Sequence, residues 1–249
     1  MELINERKEL YSDLIHKVLS GAKLNTFLSY TVDKSVILRH DVDNSIDDAV
    51  IMAEFEKKMG IKSTYFILHT AKYFNYSEKL IENCVAIQNY GHDIGFHNNS
   101  ITLNVKRKIP IEKAINKPLN FLRKNGLVVR GTSAHGVPDC YKMGYYNYEI
   151  WKEFDPKKVE GRKSHKLIPK GKYFLKHFGF EYDADFVKYE FYLDDSGGGW
   201  NSMIGRPKLF GKSLKKNKLN RGIKILDDWN NTKDGIFQIL THPCYWKIG

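Results

Sequence analysis

The stretch Ser35-Val36-Ile37-Leu38-Arg39-His40-Asp41-Val42-Asp43-Asn44-Ser45 constrains this chain more than any other. An apolar run suited to a buried strand leads into His-Asp-Val-Asp, and a helix start follows at once, with Ser45-Ile-Asp-Asp48 as a capping box. Residues i and i+2 of an extended chain lie on one side. Asp41 and Asp43 therefore aim both carboxylates at one spot beyond the strand end. Held that close, they repel unless a cation or a shared proton intervenes. A hard metal ion, or a metal beside a general base, accounts for the pair. The bland alternative is that these are turn and N-cap residues, for which Asp, Asn and Ser are common choices.

The strand-then-helix unit recurs. Strands are predicted at 35–40, 63–68, 92–97 and 127–133, with later candidates at 178–182, 191–194 and 236–240. Helical spacing marks 2–19, the segment from Ser45 to Gly60, 77–90 and 111–125, whereas 139–176 shows no clear pattern. Such alternation predicts an α/β fold on a parallel sheet, open or closed into a barrel, whose ligands gather at the carboxyl ends of the strands. Four predicted strands end in polar clusters on that side: His40-Asp41-Val42-Asp43, His97-Asn98-Asn99-Ser100, Arg130-Gly-Thr-Ser-Ala-His135-Gly136 and Thr241-His242-Pro243. A fifth runs into Asp194-Asp195-Ser-Gly-Gly-Gly-Trp200. A parallel sheet brings all five to one face, and that face is the expected active site.

Composition narrows the classes. The 249 residues, 42% of them hydrophobic, suffice for a folded core, and no linker or repeat divides them. The expectation is one domain over 1–249, with 1–30 a helical N-terminal extension. Cys84, Cys140 and Cys244 lie far apart with no CxxC, which argues against a disulfide framework or zinc knuckle and favours a reducing cytoplasm. The first residues are too charged for a signal peptide, and no apolar run reaches the length of a membrane span. The net charge of +11 is concentrated partly in 206–221, which holds no acidic residue. That stripe suits a polyanion or a phosphorylated substrate. Nucleic-acid binding would rest on charge alone and is not expected.

With these residues in hand, the chain resembles the polysaccharide deacetylases of the NodB-homology class. It looks most like the branch carrying Arg-His-Asp-Val-Asp, which includes WbmS-like proteins of surface-polysaccharide gene clusters. The resemblance spans roughly residues 36–246. It rests on the order of Asp41/Asp43, Gly-Ile-Lys-Ser-Thr-Tyr-Phe at 60–66, Gly-His-Asp-Ile-Gly-Phe-His at 91–97, Arg130, the Asp195/Trp200 segment and Leu240-Thr-His242. It implies a distorted (β/α) barrel of about seven parallel strands and a metal-dependent hydrolase that removes an N-acetyl group from a sugar.

The resemblance also implies roles. Asp41 is the general base and Asp43 a metal ligand, with an exchange of the two left open by the inserted Val42. His97 is the second ligand. The family's further His, four residues on, is replaced by Ile101. Candidates for the missing ligand are His135, His92 and Asn98; His92 should face away from His97, and His135 is the preferred replacement. Arg130 and Asp195 match the pair that orients the base, Trp200 an aromatic wall of the substrate pocket, and His242 the catalytic acid. His40 is expected to support the site by hydrogen bonding. A backbone N–H between Ser133 and Gly136 is the candidate oxyanion donor. Imidazole and carboxylate together suit zinc, with nickel, cobalt or iron as alternatives. The expected substrate is an N-acetylated sugar, nucleotide- or lipid-diphosphate-linked. The alternatives are hydrolysis of another small amide, imide or ester, and a non-catalytic basic protein that binds polyanions.

Overall fold

A computed structural model describes residues 2–31, 33–154, 169–195, 201–204, 225 and 227–249. The predicted alternation is present. Strand β1 (Lys23–Asn25) follows helix α1 (Glu2–Leu19), and then come β2 (Ser35–Val42), α2 (Ile46–Lys58), β3 (Thr64–Leu68), α3 (Glu78–Asn89) and β4 (Asp93–Asn98). Next are α4 (Ser100–Arg107), α5 (Ile111–Lys124), β5 (Val129–Ala134) and α6 (Pro138–Met143). The chain closes with β6 (Tyr182–Asp183), β7 (Phe191–Asp194), β8 (Asn201–Ile204), β9 (Ile236–Thr241) and α7 (Pro243–Trp246). The capping box at the start of α2 forms, with the Ser45 hydroxyl accepting from the Asp48 amide at 3.1 Å.

The sheet runs β6-β5-β4-β3-β2-β9-β7-β8, with β1 paired to the start of β2. The seven strands from β6 to β7 are parallel, and β8 is antiparallel at the edge. The sheet is curled into a half-barrel. Arg39 of β2 and Asp185, just past β6, lie four strands apart, about 19 Å across a flat sheet. They are ion-paired at 3.1 Å. Curling lets them meet.

Side-chain alternation then sorts β2. Val36 and Leu38 point outward, into a core shared with Tyr11, Ile15 and Val18 of α1 and with Phe237 and Ile239 of β9. Ile37 points inward, to Phe27, Phe66 and Ile236. Arg39, Asp41 and Asp43 continue the inward row. On β4 and β5 the same row is Gly95–His97 and Gly131–Ser133. A Cβ on Gly95 would meet the Phe66 ring at 2.3 Å, and one on Gly131 the Tyr182 ring at 1.9 Å, so only glycine fits under the rings that line the concave face.

His40 and His92 belong to the other face. Glu56 of α2 is buried there and takes His40 Nε2 at 3.0 Å, Ser63 Oγ at 2.7 Å, the Tyr65 hydroxyl at 2.8 Å and the Tyr11 hydroxyl. His92 donates through Nε2 to the Ala53 carbonyl at 2.9 Å and accepts at Nδ1 from the Ser63 amide at 3.2 Å. His40 meets Thr241 Oγ1 at 2.7 Å. This network ties α1 and α2 to the back of the sheet.

Two differences from the predicted elements bear on the site. Of the strand expected at 178–182, Phe178 ends the helical turn Leu175–Phe178, 179–181 are irregular, and only Tyr182 is extended, opening the two-residue β6 that pairs with Gly131 and Thr132. Helix α4 was not predicted. It starts at Ser100, immediately after the polar end of β4, and buries Ile101.

Candidate metal centre

The ends of β2, β4, β5 and β9 converge on one spot. His97 Nε2 lies 3.3 Å from Asp41 Oδ2 and 3.4 Å from Asp43 Oδ1. His135 Nε2 lies 3.5 Å from Asp43 Oδ2, and His242 Nε2 is 3.7 Å from the same oxygen. Both carboxylates of the His-Asp-Val-Asp motif thus face one point, as the two-residue period requires. Asp43, His97 and His135 each bring one ligand atom to within 4.8 Å of the others.

These residues fit a divalent ion. Asp43 Oδ1 is buried and accepts no hydrogen bond of adequate geometry, although His97 Nε2 is near it. The Ser133 carbonyl, 3.2 Å from His97 Nδ1, can only accept, so Nδ1 carries a proton and Nε2 is free to ligate. The His97 and His135 imidazoles lie 3.4 and 3.5 Å from the two oxygens of Asp43, close enough for the three side chains to surround one ion.

The charges are balanced by position. Arg39 grips Asp41 with both prongs, Nε to Oδ1 at 2.8 Å and Nη2 to Oδ2 at 2.9 Å, while its guanidinium lies over the Phe66 ring at 5.3 Å. Its third nitrogen pairs with Asp185, whose other oxygen accepts the Ala134 amide at 2.6 Å. Burial pushes Asp41 up, but Arg39 and then His97 outweigh it and hold the carboxyl below its usual value. Burial also raises Asp43, and the His135 and His97 imidazoles beside it more than reverse the effect. Both are carboxylates at neutral pH. Burial lowers His242, yet the Asp195 carboxylate bonded to its Nδ1 at 2.6 Å, with help from Asp41 and Asp43, carries it up to about 9. Asp195 is fixed in turn by the His242 amide at 3.0 Å and the Trp246 indole N–H at 2.9 Å.

Arg130 is not brought to this group, contrary to the expectation from the sequence. It is the extra residue where β5 shifts register against β4 between Val129 and Gly131, its side chain is half exposed, and its ion partner is Glu181 at 3.8 Å. Arg39 holds Asp41 instead. Asp195 is bonded to His242 on the acid side, so the two residues expected to orient the base do not act as a pair. Ser133 is buried, and its hydroxyl lies 2.8 Å from His97 Nδ1, so it serves the ring and offers no substrate contact. Among the candidate oxyanion donors, the Ala134 and His135 amides are taken by Asp185 and by the Asn98 carbonyl. That leaves the amide of the exposed Gly136. Trp200 and the basic stretch 206–221 lie outside the described residues. A cavity of about 450 Å³ is lined by His69, Asn99, Val137, Lys106, Arg107 and Asp139 among others, and none of the converging residues lines it.

Sequence reasoning assigned no role to Arg39, although parity with Asp41 was a sufficient signal. Asp185 carried none, because it reaches the site from a short turn just past β6.

No family model matches the sequence, and no curated protein matches it. Solved structures do. A mutant of BA3943, a CE4 family pseudoenzyme with restored enzymatic activity, aligns with TM-score 0.45 and 12% identity over 88% of this chain and 60% of that one. A mutant of the peptidoglycan deacetylase PdaC from Bacillus subtilis aligns with TM-score 0.39 and 12% identity, covering 86% and 77% of the two chains. The Bc1960 peptidoglycan N-acetylglucosamine deacetylase aligns with TM-score 0.38 and 15% identity, covering 83% and 71%. This chain therefore spans less than two thirds of the first of these structures.

Proposed function

We propose that this protein is a metal-dependent hydrolase that removes an N-acetyl group from a sugar, with Asp43, His97 and His135 as the metal ligands. The observation that carries the reading is the convergence of two carboxylates and three imidazoles from four strand ends on one point, with Asp43 Oδ1 left without an aligned donor. A divalent ion there, zinc or one of its neighbours in the first transition row, would polarise the amide carbonyl and acidify a water.

The remaining roles belong to this chain's own side chains. Asp41, kept ionised by Arg39, takes the proton from the attacking water. Arg39 also fixes the direction of that carboxylate, since its two bonds leave little rotational freedom. The Gly136 amide donates to the oxygen on which negative charge develops. His242, protonated and oriented by Asp195, gives its proton to the departing nitrogen. Acid and base help of this kind is worth ~10²–10⁴-fold for each group. The products are acetate and a free amino sugar.

The sugar is proposed to be a nucleotide- or lipid-diphosphate-linked intermediate of surface-polysaccharide synthesis, in keeping with the net charge of +11. A cytoplasmic setting suits the three free cysteines. Among the described residues, no helix is long and apolar enough to cross a membrane.

The test couples metal analysis to turnover. The purified protein should hold close to one divalent ion and release acetate and amine from at least one member of a panel of nucleotide-linked and oligomeric N-acetyl sugars. Asp43→Ala and His97→Ala should lose the ion, whereas Asp41→Asn should keep it and lose turnover. Unchanged metal content in the first two variants overturns the ligand assignment. Full turnover in Asp41→Asn overturns its role as base. A metal-loaded protein that hydrolyses simple anilides or esters but no sugar of the panel moves the substrate to another small amide.

A further inference from the structure

We infer that Asn147 is the positioning residue that sets His135 against Asp43 and so completes the metal site of this chain. The inference rests on the metal reading above and adds a residue from a segment in which the sequence showed no pattern.

Helix α4 presents no ligand at position 101, because Ile101 is an apolar side chain buried in the core. The third donor therefore comes from residue 135, the first beyond β5, followed by the exposed Gly136. A ligand at the start of a loop has its geometry set only if its main chain is fixed. Both main-chain polar groups of His135 are fixed. Its amide donates to the Asn98 carbonyl at 2.9 Å, one residue past the ligand His97. Its carbonyl accepts from Asn147 Nδ2 at 2.8 Å.

Asn147 has no solvent exposure and opens the helical turn Asn147–Ile150. Its Oδ1 accepts the amides of Ile101 at 2.9 Å and Thr102 at 3.2 Å, in the first turn of α4. The Asn99 side chain makes no cap there, so Asn147 does the capping from outside the helix. Its Nδ2 is also 3.2 Å from both Asn99 Oδ1 and Thr102 Oγ1. Its own carbonyl accepts Asn98 Nδ2 at 3.1 Å. Asn147 thus joins the end of β4 through its main-chain carbonyl, and the start of α4 and the loop that bears His135 through its carboxamide. Only an amide offers an acceptor toward α4 and a donor toward His135 in one side chain of this size. Of the three proposed ligands, His135 is the one that Asn147 hydrogen-bonds, and Asn147 acts on the metal through it.

The experiment uses the full chain and two probes that need no turnover. Zn²⁺ affinity is measured by competition with a chromophoric chelator, and the Co²⁺-substituted protein is read by its visible ligand-field spectrum. Asn147→Asp keeps the acceptor toward α4 but turns an acceptor toward the His135 carbonyl. It should weaken Zn²⁺ binding ~10–100-fold, the range for residues that orient ligands, and should alter the Co²⁺ spectrum. His135→Ala should weaken binding at least as much. Leu119→Ala, a core truncation away from the site, should lower the melting temperature and leave affinity and spectrum unchanged.

Wild-type affinity and spectrum in Asn147→Asp, with loss in His135→Ala, overturn the inference alone. No loss in His135→Ala, or no metal binding by the wild type, overturns the underlying ligand assignment as well. If Asn147→Asp does not fold, Asn98→Ala removes the side-chain donor that holds the Asn147 carbonyl, and so loosens Asn147, while the main-chain acceptor of the His135 amide stays in place. A several-fold loss of affinity is expected there, and none overturns the inference.

Discussion

Asp195→Asn tests the acid side of the proposed chemistry without depending on the substrate. His242 is 8% exposed and its Nδ1 lies 2.6 Å from an Asp195 oxygen. Its protonated form is favoured from an ordinary 6.5 up to about 9. That change corresponds to roughly 3 kcal/mol between the two protonation states. A raised value means that the pair's stabilising effect is fully present below 6.5 and is lost as pH rises through about 9. At pH 8 the ring is ~90% protonated; at the ordinary value it would be ~3%. The carboxamide introduced by the substitution removes the charge but can still accept the His242 main-chain and Trp246 indole N–H groups, so the variant should fold. Asp41 and Asp43 keep part of the effect, and a fall of about tenfold in the protonated fraction at pH 8 is expected. The assay is an NMR titration of the His242 imidazole in metal-free protein, since a bound dication would itself lower the value. In the metal-loaded enzyme, the alkaline limb of the kcat profile should move to lower pH in the variant. An imidazole that titrates at the same pH in both proteins refutes the reasoning, and so does an alkaline limb that does not move.

Other outcomes follow from the same structure. Glu56→Gln should cost about 3–5 kcal/mol in chemical denaturation at pH 7, because a buried carboxylate that takes four donors is replaced by a group that must turn an NH₂ toward some of them. Burial raises Glu56, but His40 and His92 bring it down to about 2, so its contribution is present above the ordinary 4.5 and fades as pH falls toward 2. The gap between the two proteins should narrow over that window; a gap that is constant from pH 7 to pH 3 would contradict the assignment. Arg39→Met strands Asp41 and Asp185, should cost about 3–5 kcal/mol and should lower kcat, as denaturation curves and turnover would show. Zinc at 1,000 times its dissociation constant should stabilise the wild type by about 4 kcal/mol, and a melting curve that responds equally in Asp43→Ala would count against the site.

Much was legible in the sequence because it depends on local periods. The two-residue period of a strand places Asp41 and Asp43 on one side, and strand–helix alternation forces the sheet to be parallel and its strand ends to share a face. These rules carry His97, His135 and His242 to the same region from widely separated positions in the chain. What the sequence left open is what depends on curvature and on irregular chain. Arg39 and Asp185 meet only because the sheet rolls up, since three strands lie between theirs in its order. Arg130 lies in the right cluster of the sequence, but it is the extra residue at a register shift between β4 and β5 and its side chain is half exposed. Asn147 and Glu56 were silent for a different reason. A buried polar side chain takes its meaning from the donors and acceptors that other segments bring to it, and no period along the chain encodes those. Local alternation is fixed by covalent geometry; which strand ends face each other, and which loop amide holds a ligand's carbonyl, is decided only when the sheet closes on its packed rings.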